Sequence, residues 1–422
     1  MHRVSSNCIK RKSTLNMNKI QQRELNTEED FYLAGTAYED QGERWSQTDI
    51  KKSLRCYALA YEMYDKALRN PVKSDNEYDI LYNMVRIPLV VYQEYIYDEH
   101  GLNTLQYVDL SDIDTSSVVL DLPTIIAHFE RVYALYQGWD LEFNLLNCYL
   151  TLVENDKHDL GLQEIAAMTQ KTQVLVEALL QKISDASPMP DSEHQQDDDE
   201  DDDTDKYMDF SESITQETTD EVLVMGFKYV INVKERHHGE QCDAVVATLL
   251  AMLSNVACPA PSEELGNIRK YLWGISLAQD PLALETFVQD ESIDLSVRVD
   301  TLEYHIDNCV RADTDTETVC WALCSALSRL LAQLIRTTAP GIAKLGIMLN
   351  QAENEARRCA LGTRSAALGV PAATRAVLAN NHTKILENIV KLAATAGLAD
   401  TTRHKLQKRS ISAQCLTQLT AV

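Results

Sequence analysis

Three groups of side chains in this chain have the type and spacing that chemistry requires. Cys320-Trp-Ala-Leu-Cys324 sets two thiols one helical turn apart, His237-His238 sets two imidazoles side by side, and Asp197 to Asp203 is an unbroken run of carboxylates. A thiol pair could hold a metal or exchange disulfides, but a metal site needs a second pair or a nearby histidine. The other eight cysteines (Cys8, Cys56, Cys148, Cys242, Cys258, Cys309, Cys359 and Cys415) stand singly, so Cys320 and Cys324 read as part of a buried apolar stripe. His237 and His238 lie between Arg236 and Gly239, where a helix end is expected and basic side chains solvate the last carbonyls. No phosphate loop, glycine-rich dinucleotide turn, Gly-x-Ser-x-Gly elbow or His-x-x-Glu-His spacing occurs. The expectation is a protein that is not an enzyme, with no catalytic residue, cofactor or metal.

The carboxylate run carries more information. Asp197, Asp198, Asp199, Glu200, Asp201, Asp202 and Asp203 belong to a chain of formal net charge −25. Residues 1–27 sum to +5 and residues 341–422 to +7, which leaves −37 on residues 28–340. Free nucleic acid needs a basic surface, so this balance opposes it and favours a basic protein partner such as a ribosomal protein or a histone. The tyrosines from Tyr57 to Tyr97 could stack bases, but their helical spacing fits interhelix knobs better.

The elements that must position these groups are helices. Gly 14 and Pro 10 are few for 422 residues, as long helices with short loops require. Phe31, Ala34, Gly35 and Tyr38 recur at helical spacing, and Asp49 reads as the N-cap of a helix running to Arg69 and ended by Pro71. A further helix begins near Tyr78, with Pro88 expected to kink or break it before Leu89–Tyr97. Residues 98–121 read as a polar loop. Pro123 opens the next helix, and helices over 143–150 and 162–183 follow. Seven contiguous acids repel and bury no apolar area, so 186–217 is expected to be a disordered linker. Beyond it, helices are expected from Glu221, over 242–257, 262–278, 281–290, 293–310, 315–336, 341–360, 372–396 and 400–419. Four parts result: a basic disordered leader (1–27), a helical domain (28–185), the acidic linker (186–217) and a C-terminal helical domain (218–422).

Phe31-x-x-Ala34-Gly35-x-x-Tyr38 followed by Ala60-x-x-x-Tyr64-x-x-Ala67 and Pro71 resembles the two helices of a tetratricopeptide (TPR) repeat, with an insertion across Asp40 to Ser53. Phe143-x-x-Leu146-Asn147-x-x-Leu150 resembles the first helix again. The resemblance implies an all-α, right-handed superhelix of antiparallel helix pairs whose concave face binds a peptide or a helix. It places Tyr32, Thr36, Glu39, Asn83, Arg86, Asn144 and Tyr149 on the partner-binding face. That face of the first helix offers no Lys or Arg, which argues against the two-carboxylate clamp some such repeats use for chaperone C-termini.

The combined expectation is a protein-interaction module, an acidic TPR-like chaperone or adaptor for a basic client. The alternative is a scaffold subunit of a larger assembly, with the acidic tract a passive linker. Single cysteines fit the reducing cytoplasm or nucleus. No run of about 18 uncharged apolar residues suggests a membrane span, and the leader, with Lys10-Arg11-Lys12, lacks the apolar segment of a secretory signal. Limited proteolysis should cut first between Ser187 and Glu217; first cleavage within 98–121 instead would show that the boundary is misplaced.

Overall fold

A computed structural model of the chain describes residues 25–72, 75–97, 103–155, 160–185, 216–236, 240–258, 261–311, 317–365 and 368–395. Among them the protein is all-α, with fourteen α-helices and no strand. The chain divides into two compact units, Met1–Ala260 and Pro261–Val422. Unit 1 contains α1 (Glu28–Trp45), α2 (Ile50–Arg69), α3 (Glu77–Val91), α4 (Leu122–Tyr133), α5 (Trp139–Glu154), α6 (Leu162–Asp185), α7 (Gln216–Arg236) and α8 (Glu240–Ser254). Unit 2 contains α9 (Glu263–Ser276), α10 (Pro281–Gln289), α11 (Leu295–Arg311), α12 (Glu317–Thr337), α13 (Ile342–Arg364) and α14 (Ala372–Thr395). The expected helices over 262–278, 281–290, 293–310, 315–336, 341–360 and 372–396 are present within a few residues. Residues 1–24, expected to be a basic leader, and residues 396–422, with the helix expected at 400–419, lie outside the described residues.

Helix starts follow from short polar side chains that satisfy the first free amides. Thr27 and Asp30 form a reciprocal box at α1, each side chain accepting the other's backbone N–H at 3.1 Å. Asp49 accepts Lys52 N–H at 3.0 Å at the start of α2, as its position in the sequence suggests. Asp121 caps α4 with Pro123 in the first turn, where no intrahelical donor is needed.

The α1–α2 hairpin is the closest packing in unit 1. A Cβ on Gly35 would lie 2.4 Å from Tyr64 Cε1, and one on Gly42 would lie 2.7 Å from Tyr57 Cε1. Each ring rests on bare backbone, and the two contacts run in opposite directions seven residues apart on each helix, which fixes an antiparallel register. Tyr57 and Tyr64 are fully buried with Leu54, Ala60, Ile80 and Ile87. The insertion that separates the two repeat halves is absorbed largely as extra helix: α1 runs on to Trp45, and those turns bring Gly42 under Tyr57. Ser53 Oγ donates to Gly42 O at 2.8 Å and accepts from Tyr95 at 2.9 Å, tying the chain that follows α3 to the same place.

Pro88 does not break its helix. α3 continues through it to Val91 and ends in a π turn, Tyr92–Ile96. Proline forfeits one backbone bond, and burial of Ile87, Leu89 and Val91 in the core offsets that loss. The polar stretch before α4 is held down rather than loose where described. Lys51 and Arg55 on α2 bridge to Asp112 at 2.5 and 3.2 Å, and Val118 is fully buried.

The expected division at 186–217 is not where the chain separates. α7 packs on α5 and α6, and α8 packs on α6 and α7, so both belong to unit 1 and the division falls after Ala260. Thr169 Oγ1 and Tyr229 OH share a bond of 3.1 Å, and Arg236 donates to Glu154 O at 2.7 Å. The reason is burial: Val222, Leu223, Phe227, Tyr229 and Val230 are nearly inaccessible to solvent, and the chain supplies the cover by returning to α5 and α6. In unit 2, α12 is long and apolar enough by length and composition to cross a membrane. Its Cys320, Cys324, Leu327, Leu330 and Leu331 are buried with Leu302 and Ile306 of α11.

Adding side chains at the two glycines should overpack the hairpin by ~1–3 kcal/mol each. Gly35→Leu and Gly42→Ala should both lower the denaturant midpoint; if both melt with the wild type, the register drawn above is refuted.

Candidate functional site

The seven positions assigned to a concave binding face are mostly interior. Tyr32, Glu39 and Tyr149 are buried, so the structure corrects their reading as partner-facing residues. Tyr32 stands 6.0 Å, centroid to centroid, from Tyr64. Glu39 pairs with Arg86 of α3 and accepts the Tyr64 hydroxyl at 3.0 Å, and the Asn83 side chain bonds the same hydroxyl. Thr36 is half-buried and donates to Leu33 O at 3.0 Å. Asn144 donates to Tyr82 OH at 2.8 Å, and Tyr149 donates to Glu130, which also holds Lys171 at 2.6 Å. Glu39, Asn83 and Arg86 thus converge on Tyr64, whereas Asn144 and Tyr149 sit apart on α5. The side chains that the repeat resemblance marks couple one helix to the next. Asp197 to Asp203 lie outside the described residues, as do His237 and His238.

Among the described residues no group of three or more His, Cys, Asp or Glu is placed to hold a metal. Cys320 and Cys324 are buried free thiols one turn apart; hydrogen bonding between them draws Cys320 down and pushes Cys324 up. His305 and His382 are buried and bonded to carbonyls, Gly274 O at 3.0 Å and Ala352 O at 2.8 Å. Each buried imidazole fastens two helices.

A polar groove of about 240 Å³ opens in unit 2. Ser328 of α12, then Gln351, Glu355 and Arg358 of α13, then Asn381, Lys384 and Ile385 of α14 line it. Glu355 is the hub. Its carboxylate accepts Ser328 Oγ at 2.5 Å, Gln351 Nε2 at 3.2 Å and Arg358 Nη1 at 3.1 Å, and only 2% of the residue is exposed. Gln351 Nε2 also reaches Ser328 Oγ at 3.0 Å, and the Arg358 guanidinium lies over the Trp321 ring at 5.3 Å. Two buried atoms here have no partner, Gln351 Oε1 and Arg358 Nε. None of these residues stood out in the sequence, although Gln351, Glu355 and Arg358 recur at four and three places, a polar stripe on an otherwise buried helix.

A second unusual carboxylate lies on α11. Glu303 accepts Asn350 Nδ2 at 3.1 Å and is raised to about 7, first by burial and then by repulsion from Asp300 and Asp307. Arg357, bonded to Asp307 at 3.3 Å, pulls the other way.

Comparison with known proteins adds one relative. The chain is 45% identical over 148 residues to "Uncharacterized protein YNL193W" of Saccharomyces cerevisiae (strain ATCC 204508 / S288c). The match covers 34% of this chain and 26% of the yeast protein, so the chain spans about a quarter of that relative's length. No family model matches, and no solved structure matches.

Glu303 gives unit 2 a pH dependence of definite sign. From its ordinary 4.5 to about 7 the folded state keeps a proton that the unfolded state releases. Its contribution is therefore complete at low pH and is lost as pH rises toward 7. Glu303→Gln should melt closer to wild type at about pH 5 and above it at about pH 8. A difference between the two proteins that does not change with pH would refute the assignment.

Proposed function

We propose that the protein is an acidic TPR-like helical adaptor or chaperone that captures a basic protein client through unit 1. In this reading the antiparallel pairs of residues 28–185 continue as a right-handed superhelix, and the tract Asp197–Asp203 supplies the electrostatic half of the contact. The observation that carries it is where the charge sits. Residues 1–260 hold 22 Lys/Arg against 47 Asp/Glu, and residues 261–422 hold 17 of each, so the whole net charge belongs to unit 1. Moreover α6 and α7, on either side of the acidic tract, pack together. The tract is thus an insertion tethered at both ends to unit 1 rather than a connection between units, which favours a role in binding over that of a passive linker.

Clustered carboxylates raise the encounter rate with a cationic partner by long-range attraction, and that attraction is screened within ~10 Å at 0.1 M salt. Replacing Asp197–Asp203 with Asn, Gln and Ser should slow association with a basic protein such as a histone about tenfold or more and flatten its salt dependence. The melting curve should stay unchanged. Surface plasmon resonance between ~50 and 300 mM salt separates the readings. Binding indifferent both to neutralisation and to salt would favour the scaffold subunit.

A further inference from the structure

The neutrality of unit 2 is a cancellation of two unlike halves. Residues 261–311 hold 4 Lys/Arg against 10 Asp/Glu, and residues 317–395 hold 9 against 4. Between Thr318 and Ala352 no carboxylate occurs, in a chain that has 64 of them. That stretch contains nearly all of α12, which packs on α11 and α13. Of the 21 residues of α12 only Cys320, Cys324, Leu327, Leu330 and Leu331 are buried. Thr318, Ala322, Arg329, Gln333 and Arg336 are exposed, and their spacings of three, four and seven put them on one face. Small side chains occupy the start of that face and cations its end. The two arginines stand two turns apart, about 10.5 Å, and neither forms an ion pair with a described residue. By contrast Arg357 and Arg358 on α13 are committed to Asp307 and Glu355.

We propose that the outward face of α12 docks an acidic helix of a partner protein, with carboxylates seven residues apart that meet Arg329 and Arg336 and small side chains that lie against Ala322. Charge complementarity selects this occupant: two unpaired guanidiniums, on a helix whose one carboxylate is Glu317 at its start, attract carboxylates. The heptad interval between the arginines is the repeat that a second helix laid alongside would match. The surface belongs to unit 2 and is opposite in sign to the one proposed for unit 1, so it stands whether or not the adaptor reading holds. Nucleic acid fits less well, because a chain of net charge −25 repels a phosphate backbone. An anionic membrane also fits less well, because Val319 is the one large apolar side chain that α12 exposes, too little to insert.

Fluorescence anisotropy of labelled probes with the full chain at ~50 mM salt tests this. Three probes are an alanine-rich helical peptide of about 20 residues with Glu at every seventh position, the same peptide with Gln in place of Glu, and a single-stranded oligonucleotide. Cosedimentation with vesicles of phosphatidylcholine and phosphatidylserine provides the fourth. The Glu peptide should bind, and the Gln peptide should bind about tenfold more weakly or not at all, the effect expected of two exposed ion pairs. Arg329→Glu combined with Arg336→Glu should abolish binding of the Glu peptide without shifting the melting curve, because both side chains are exposed and unpaired. Arg364→Glu, at an equally exposed arginine in the last turn of α13, should leave binding unchanged. The proposal is overturned if the Gln peptide binds as well as the Glu peptide, or if the double variant binds like wild type. It is equally overturned if Arg364→Glu weakens binding as much, which would make net charge the cause. Tighter binding of the oligonucleotide or the vesicles through the same two arginines, or no binding of any probe, also refutes it.

Discussion

The distance between α1 and α2 is the constraint from which the rest of unit 1 follows. Two tyrosine rings lie on two glycine backbones, and any Cβ at Gly35 or Gly42 would occupy space the rings already fill. Such reciprocal contacts permit one antiparallel register and no sliding. They also bring the two helices near enough for Ser53 to bond Gly42 O, and that hydroxyl in turn receives Tyr95 from the chain after α3. α3 is then placed by Glu39, which leaves α1 to pair with Arg86. A backbone approach in the first hairpin thereby sets the path of the chain two helices later.

The polar groups buried along that path serve position more than energy. A buried ion pair such as Glu39–Arg86 offsets its own desolvation at best, but removal of either partner strands a charge. The same logic recurs at Lys182, which reaches the buried Glu142 at 2.7 Å, and at Glu355 in unit 2. Hydrophobic stripes bring helices together without specifying which turn meets which; these single polar contacts specify it. The unit 2 network follows the same pattern: Glu355 is held by Ser328, Gln351 and Arg358, and an arginine Nε is left without a partner there as it is at Arg86.

Much of the helical layout was legible because apolar spacing and capping chemistry are local. Asp49, Pro123 and the spacing of Phe31, Gly35 and Tyr38 act within one or two turns, and those elements formed as read. Gly35 stood in the repeat pattern, but Gly42 was not marked, because which ring lies over a glycine depends on the helix opposite. What spacing does not contain is the identity of the surface a face meets. Tyr32, Glu39 and Tyr149 lie on a stripe that the sequence marks but that α2, α3 and α4 cover. The groove was invisible for a related reason: Ser328, Glu355 and Lys384 come from three helices, each separated by nearly thirty residues from the next.

By itself the sequence determined an all-α chain, the start of most helices, and the concentration of acid in its middle, because each depends on neighbours within a few residues or on counting. Only the tertiary structure decided that α7 and α8 return to α5 and α6, which moved the division between units from 186–217 to 260. A charged, apolar-poor stretch signals where a chain leaves its core, and it carries no information about where the chain comes back. That is settled by which exposed stripe best covers Val222, Phe227 and Tyr229, a question of area and shape that belongs to the folded molecule.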